Sequence, residues 1–154
     1  MVKVLLIYDT VSPAKVTGKV AEAVTAAMRE QGASVDQYSV EQAKADVGDY
    51  DCLVVGAPTM AWRPSERMRG FLAGLGGTDR SGKRAAAFDT QLKSFASGNA
   101  TKHMEARLVE LGFGIVHPAL ISYVESENKR YRLKAGELEK ARAWGRELAI
   151  KLLG

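Results

Sequence analysis

Apolar residues along the chain follow two alternating patterns. Residues 2–8, 53–57, 85–88 and 115–124 are short runs rich in Val, Ile and Leu, as expected of strands covered on both faces. Residues 33–38 form a weaker strand, with Val35 and Gln37 interleaved with Asp36 and Tyr38. Between these runs the spacing becomes helical. Val16, Val20, Val24 and Met28 recur every four residues, and Gly32 supplies a stop. Met68, Phe71, Leu72 and Leu75 repeat the pattern after Pro64, and Ala100, Met104, Leu108 and Leu111 do so before Gly112. Leu138, Ala141, Gly145, Leu148 and Leu152 mark a last helix with charged residues on its opposite face. Segment 41–47 is short and polar and fits one or two helical turns, and the charged run 125–134 reads as a loop.

Strand and helix thus alternate about five times, which calls for an α/β fold: a parallel, doubly wound sheet with helices on both faces. No Pro/Ser-rich linker divides the chain, so residues 1–154 read as a single domain. In such sheets ligands sit beyond the carboxyl ends of the strands, where strand order reverses. The segments to inspect for function are therefore 9–15, 56–63 and 89–99.

Composition narrows the choice. With 154 residues, 46% apolar and 26% charged, the chain has the make-up of an ordinary globular domain. A lone cysteine, Cys52, makes no internal disulfide, and with only two histidines a protein-built zinc site is not expected. No run approaches the roughly 20 apolar residues of a membrane helix. The N-terminal apolar run is too short for a signal peptide, so the expectation is a cytoplasmic protein with no membrane partner. The net charge of +4 is unevenly spread: −3 over residues 1–59, +4 over 60–110 and +3 over 111–154. The basic excess begins where the second loop begins. It reads as a positive mouth for an anionic ligand or acidic partner. A nucleic-acid partner is not expected, because no basic run or interleaved aromatic motif supports one.

The first loop runs from strand one into helix one. A helix N-terminus favours an anion; Thr10 and Ser12 would add hydroxyls and Lys15 a cation, with Asp9 pairing to Lys15 or orienting the loop. The competing assignment is that Thr10 and Ser12 cap the helix. Neither G-x-G-x-x-G nor the Walker-type P-loop is present. In the second loop, Trp62 offers a face to stack on a flat ring and Met60 an apolar edge; alternatively Trp62 covers the next helix or a neighbouring subunit. In the third, Asp89, Thr90 and Gln91 present polar groups, Phe95 a second aromatic wall, and Ser97 or Asn99 a cap for the following helix. Cys52 is expected half-buried and unreactive. His103 is expected in solvent, and His117 without a partner at ligand spacing. No catalytic pair and no G-x-S-x-G nucleophile is present.

Taken together, the hydroxyl-bearing first loop, Gly56-Ala57-Pro58-Thr59 after strand three and Phe88-Asp89-Thr90 after strand four resemble the flavodoxin-like family over nearly the whole chain, at the size of a short-chain member. The resemblance implies a five-stranded parallel sheet in the order 2-1-3-4-5 and non-covalent binding of FMN. On that resemblance the cofactor contacts are Thr10, Val11, Ser12, Ala14 and Lys15 at the phosphate. Pro58, Thr59, Met60, Ala61, Trp62, Asp89, Thr90, Gln91 and Phe95 lie at the ring. Thr10 and Ser12 match the first hydroxyl positions of the family's phosphate loop, whereas Pro13-Ala14-Lys15 replaces its Gly-Asn-Thr portion. Pro13 has no N–H to give, so one phosphate contact is lost there, and Lys15 offers charge in exchange. Two functions follow. The leading one is an FMN-binding redox protein that carries electrons between a reductase and a protein or small-molecule acceptor. If Arg63 and Arg67 approach the ring, their charge favours the reduced anion. The alternative is a binding or regulatory module of the same fold that has lost flavin. Oligomeric state is not addressed by either.

Overall fold

A computed structural model describes residues 2–10, 15–43, 47–60, 63–75, 82–92, 99–128 and 130–154. The elements in chain order are β1 (Lys3–Tyr8), α1 (Val16–Glu30), β2 (Ser34–Ser39), β3 (Cys52–Met60), β4 (Arg63–Pro64) and α2 (Glu66–Ala73). There follow β5 (Arg84–Leu92), α3 (Ala100–Glu110), β6 (Gly114–Ile115), β7 (Leu120–Glu127), β8 (Arg130–Leu133) and α4 (Glu137–Leu153). The sheet order is β2-β1-β3-β5-β7-β8. Its five parallel members, β2, β1, β3, β5 and β7, reproduce the expected order 2-1-3-4-5. The addition is β8, an antiparallel edge strand, with the short strands β4 and β6 off the main path.

Because side chains alternate along a strand, each central strand feeds two cores. Val4, Leu6, Val54, Ala86 and Phe88 pack with α1 and α4, while Leu5, Ile7, Leu53, Val55, Ala57, Ala85 and Ala87 pack with α2 and α3. The stripes foreseen for α1, α3 and α4 are buried, save Leu111 and Leu138, which are half-buried. Gly32 at φ 98° and Gly112 at φ 97° stop α1 and α3, each in the left-handed turn that glycine enters without a Cβ clash. Gly56 of β3 lies against the Phe88 ring, where a Cβ would come within 2.0 Å of the ring.

Several boundaries differ from expectation. The stretch 115–124 is not one strand: β6 and β7 are separated by residues 116–119, which include Pro118, a residue that cannot donate to a ladder. The run 125–134 is not a loop but the β7–β8 hairpin, held by Arg132 pairing with Glu125 (2.9 Å) and Glu127 (3.1 Å). Residues 89–92 belong to β5 and 58–60 to β3, so both ligand loops begin later than expected. Trp144 of α4 braces the β6–β7 connection, its Nε1–H donating to the Pro118 carbonyl at 2.7 Å. Among the described residues, no helix is long and apolar enough to cross a membrane.

Candidate functional site at the carboxyl edge of the sheet

β1, β3 and β5 end side by side, so the polar groups foreseen in three separate loops converge on one edge. β1 is extended by the Asp9 N–H, which donates to the Gly56 carbonyl at 2.9 Å and buries Asp9 to 2% exposure. Asp9 does not pair with Lys15. Its Oδ1 meets Arg67 Nη2 at 2.7 Å. The same guanidinium donates to the Thr10 carbonyl at 3.1 Å and to Glu41. Arg67 therefore spends its charge on two carboxylates and pins the start of the first loop; it is not a free cation at the mouth. That pairing keeps Arg67 firmly protonated, with Asp9 as the main cause.

The start of α1 also departs from expectation. Its N-cap is Lys15, held left-handed at φ 53°, with no side-chain cap. Thr10 does not cap the helix: its Oγ1 is buried without a hydrogen-bond partner among the described residues, as is Asp9 Oδ2. The first-turn amides of α1 are thus left to the loop or to a ligand. Val11, Ser12 and Ala14, and with them the rest of the Pro13 question, lie outside the described residues, as do Ala61, Trp62, Phe95 and Ser97.

At the ends of β3 and β5 the side chains form a directed network. Thr59 Oγ1 donates to Asp89 Oδ2 at 2.7 Å and accepts the Ala100 N–H, the first amide of α3, at 3.1 Å. Gln91 Nε2 donates to the same Asp89 oxygen at 2.7 Å. Asp89 is fully buried, and its Oδ1 has no hydrogen-bond partner among the described residues. Burial pushes its carboxyl up to about 6; the bonds from Thr59 and Gln91 pull the other way. Thr90 faces the opposite side of the sheet, its hydroxyl 2.7 Å from that of Thr17 on α1. Pro58 is half-buried, while Met60 and Leu92 leave large apolar side chains 49% and 43% exposed at the strand ends. Asn99 caps α3 as foreseen, accepting from the Thr101 N–H at 3.0 Å.

Elsewhere, one side chain differs from expectation. Cys52 is fully rather than half-buried, and burial pushes its thiol up to about 12, well away from a reactive thiolate. His117 sits against the end of α4, where Lys151 Nζ lies 2.6 Å from its Nδ1 and Glu147 Oε2 lies 3.5 Å from its Nε2. As lysine only donates, Nδ1 accepts, and burial with the Lys151 charge lowers the His117 pKa. His103 is exposed. Among the described residues, no cluster of three or more His, Cys, Asp or Glu is arranged to hold a metal. Sequence reasoning missed Arg67 as the partner of Asp9. No local signal could have found it, because α1, β2, β3 and β4 lie between the two residues in the chain.

A parallel sheet of this order, with its polar groups gathered at the carboxyl edge where strand order reverses, is a flavodoxin-like fold. The chain resembles an archaeal flavodoxin at TM-score 0.80 and 22% identity over 99% of both chains. It resembles oxidised flavodoxin 1 from Bacillus cereus at TM-score 0.80 and 21% identity, over 96% of this chain and 97% of that one. Rubredoxin oxygen:oxidoreductase from Desulfovibrio gigas matches at TM-score 0.77 and 20% identity over 98% of this chain, which spans 36% of that larger protein. No protein-family model and no curated protein matches the sequence.

Proposed function

We propose that this protein binds FMN without a covalent bond at the carboxyl edge of the sheet and exchanges electrons between a reductase and a protein or small-molecule acceptor in the cytoplasm. One observation carries the reading: on a flavodoxin-like fold, donors and acceptors of the strand ends share the carboxyl edge with a helix N-terminus whose first amides have no side-chain cap among the described residues. The residues fit such a group. An anion at α1 would meet the Lys15 charge and the Thr10 hydroxyl, which has no partner among the described residues, with Arg67 neutralising the buried Asp9 carboxylate that would otherwise repel it. A flat ring would rest against the exposed Met60 and Leu92 side chains, with Thr59, Asp89 and Gln91 at its polar rim and Trp62 and Phe95 as the aromatic candidates. Bound flavin supplies the electron chemistry, and the protein holds it and tunes its potential.

Titration of the purified protein with FMN tests this directly. The expected result is a shift in the flavin's visible band and quenched flavin fluorescence, with a Kd of about 1 µM or below. The rival reading, a flavin-free binding module, draws on Pro13 and on the buried Asp9 carboxylate beneath the loop. Unchanged absorbance and fluorescence at saturating FMN would decide for that rival.

A further inference from the structure

Thr59 stands where two ligand-bearing segments meet, and its hydroxyl has one proton and two lone pairs to share. The proton goes to Asp89 Oδ2 at 2.7 Å, and a lone pair takes the Ala100 N–H at 3.1 Å. One side chain therefore ties the end of β3 to the end of β5 and to the start of α3. We propose that Asp89 and Thr59 form a proton-linked clasp in which the Asp89 carboxylate, by fixing the Thr59 hydroxyl, holds α3 to the strand ends and so positions the ligand crevice.

The direction follows from hydrogen-bond chemistry. An ionised carboxylate only accepts, so it draws the Thr59 proton toward itself and leaves the Thr59 lone pair to Ala100. Bonds to an ionised acceptor are also roughly twice as strong as neutral ones. A protonated Asp89 carries its proton on Oδ1, the oxygen with no hydrogen-bond partner among the described residues, and Oδ2 then holds the Thr59 hydroxyl only as a neutral carbonyl, through the weaker bond. The clasp is tight when Asp89 is charged and loose when it is neutral. The surroundings bring that change into an ordinary pH range. Full burial lifts the carboxyl, Thr59 of β3 and Gln91 of β5 lower it by donating to Oδ2, the Ser122 amide side of β7 and the Lys140 charge of α4 also favour the carboxylate, and the balance stands at about 6. α1 turns an uncharged Thr17 toward β5, and the first charged or titratable side chains of α3, Lys102 and His103, are exposed. Thr59 and Asp89 act as positioning residues here.

Amide hydrogen exchange at Ala100 in the ligand-free protein reads the clasp itself, as a protection factor referenced to the intrinsic rate at each pH. Between about pH 5 and about pH 8 the wild-type factor should rise about tenfold, with a midpoint near the Asp89 titration followed by carboxyl NMR. Asp89→Asn should remove the step. Thr59→Val should lower protection at every pH, and Thr59→Ser, which keeps the hydroxyl, should restore the step. A flat wild-type profile across the Asp89 titration, or a step that persists in Asp89→Asn, would overturn the clasp. The role in ligand positioning rests on the FMN reading above, and FMN affinity should rise with Ala100 protection. Affinity that stays flat or falls while protection rises overturns that role. Absence of FMN binding at any pH would sink the cofactor reading, and the clasp would then stand or fall on exchange alone.

Discussion

Asp89 is buried to 0% exposure with its carboxyl lifted from 3.8 to about 6, chiefly by loss of hydration. A carboxylate whose folded pKa lies above its unfolded value binds more protons in the native state, so it withdraws stability as pH rises through that window. The difference of about two pK units corresponds to about 3 kcal/mol, present below about pH 4 and lost above about pH 6. Asp89→Asn keeps the shape and removes the charge. Its stability relative to wild type, measured by urea denaturation, should therefore improve by up to about 3 kcal/mol on going from about pH 4 to about pH 7. A difference that stays constant over that range would contradict the buried, lifted carboxyl. The residue types of this site were legible in the sequence: Thr59, Asp89 and Gln91 follow apolar strands and are polar where a core residue would be expected. Their partnership was not, because Thr59 and Asp89 lie on different strands, and no local pattern says which neighbours share an edge or how deep a carboxyl sits. Asp9 makes the same point. A nearby lysine looked like its partner, yet the ion pair is made by Arg67, which the sheet order carries over from α2.

At the scale of elements, the glycines of two helices separate packing from propensity. A Cβ on Gly145 of α4 would stand 2.8 Å from the Val24 carbonyl oxygen and 3.2 Å from Ala27 Cβ, both on α1. A backbone oxygen cannot swing away as a side-chain tip can, so α4 would have to lift from α1. Gly70 of α2 has nothing within 4 Å of its Cβ position. Gly70→Ala should therefore stabilise by about 0.5–1 kcal/mol, the ordinary helix-propensity gain. Gly145→Ala should destabilise despite the same gain, since overpacking costs about 1–3 kcal/mol. Thermal unfolding of the pair checks both signs, and equal signs would refute the packing argument. Helices α1, α3 and α4 and the buried strands β1, β3 and β5 could be read from the chain because a buried face leaves a period of apolar residues. The β7–β8 hairpin could not. Beyond Val124 its paired residues are mostly exposed, its register is held by Arg132 against Glu125 and Glu127, and such alternating charge reads equally well as a solvated loop.

For the whole molecule, charge placement matters more than net charge. Three cations at the carboxyl edge have no ion-pair partner among the described residues: Lys15 at the start of α1, Arg63 on β4 and Arg130 at the tip of the β7–β8 hairpin. The other two edge arginines are neutralised, Arg67 by Asp9 and Glu41, and Arg132 by Glu125 and Glu127. The basic excess that the sequence places beyond residue 60 is thus partly cancelled, and the three cations without an ion-pair partner among the described residues are exposed to solvent. A field of this kind acts on encounter rate, and salt screens it over a Debye length of about 10 Å at 0.1 M. For FMN-loaded, reduced protein, oxidation by an anionic complex such as ferricyanide should slow about tenfold from low to high salt. A cationic oxidant should speed up instead. Arg63→Glu reverses a charge that has no ion-pair partner among the described residues and lies outside the Thr59–Asp89 network, so it should flatten the salt dependence toward the anion. Equal salt slopes for the two oxidants in stopped-flow traces would mean that the cations at this edge do not steer the acceptor.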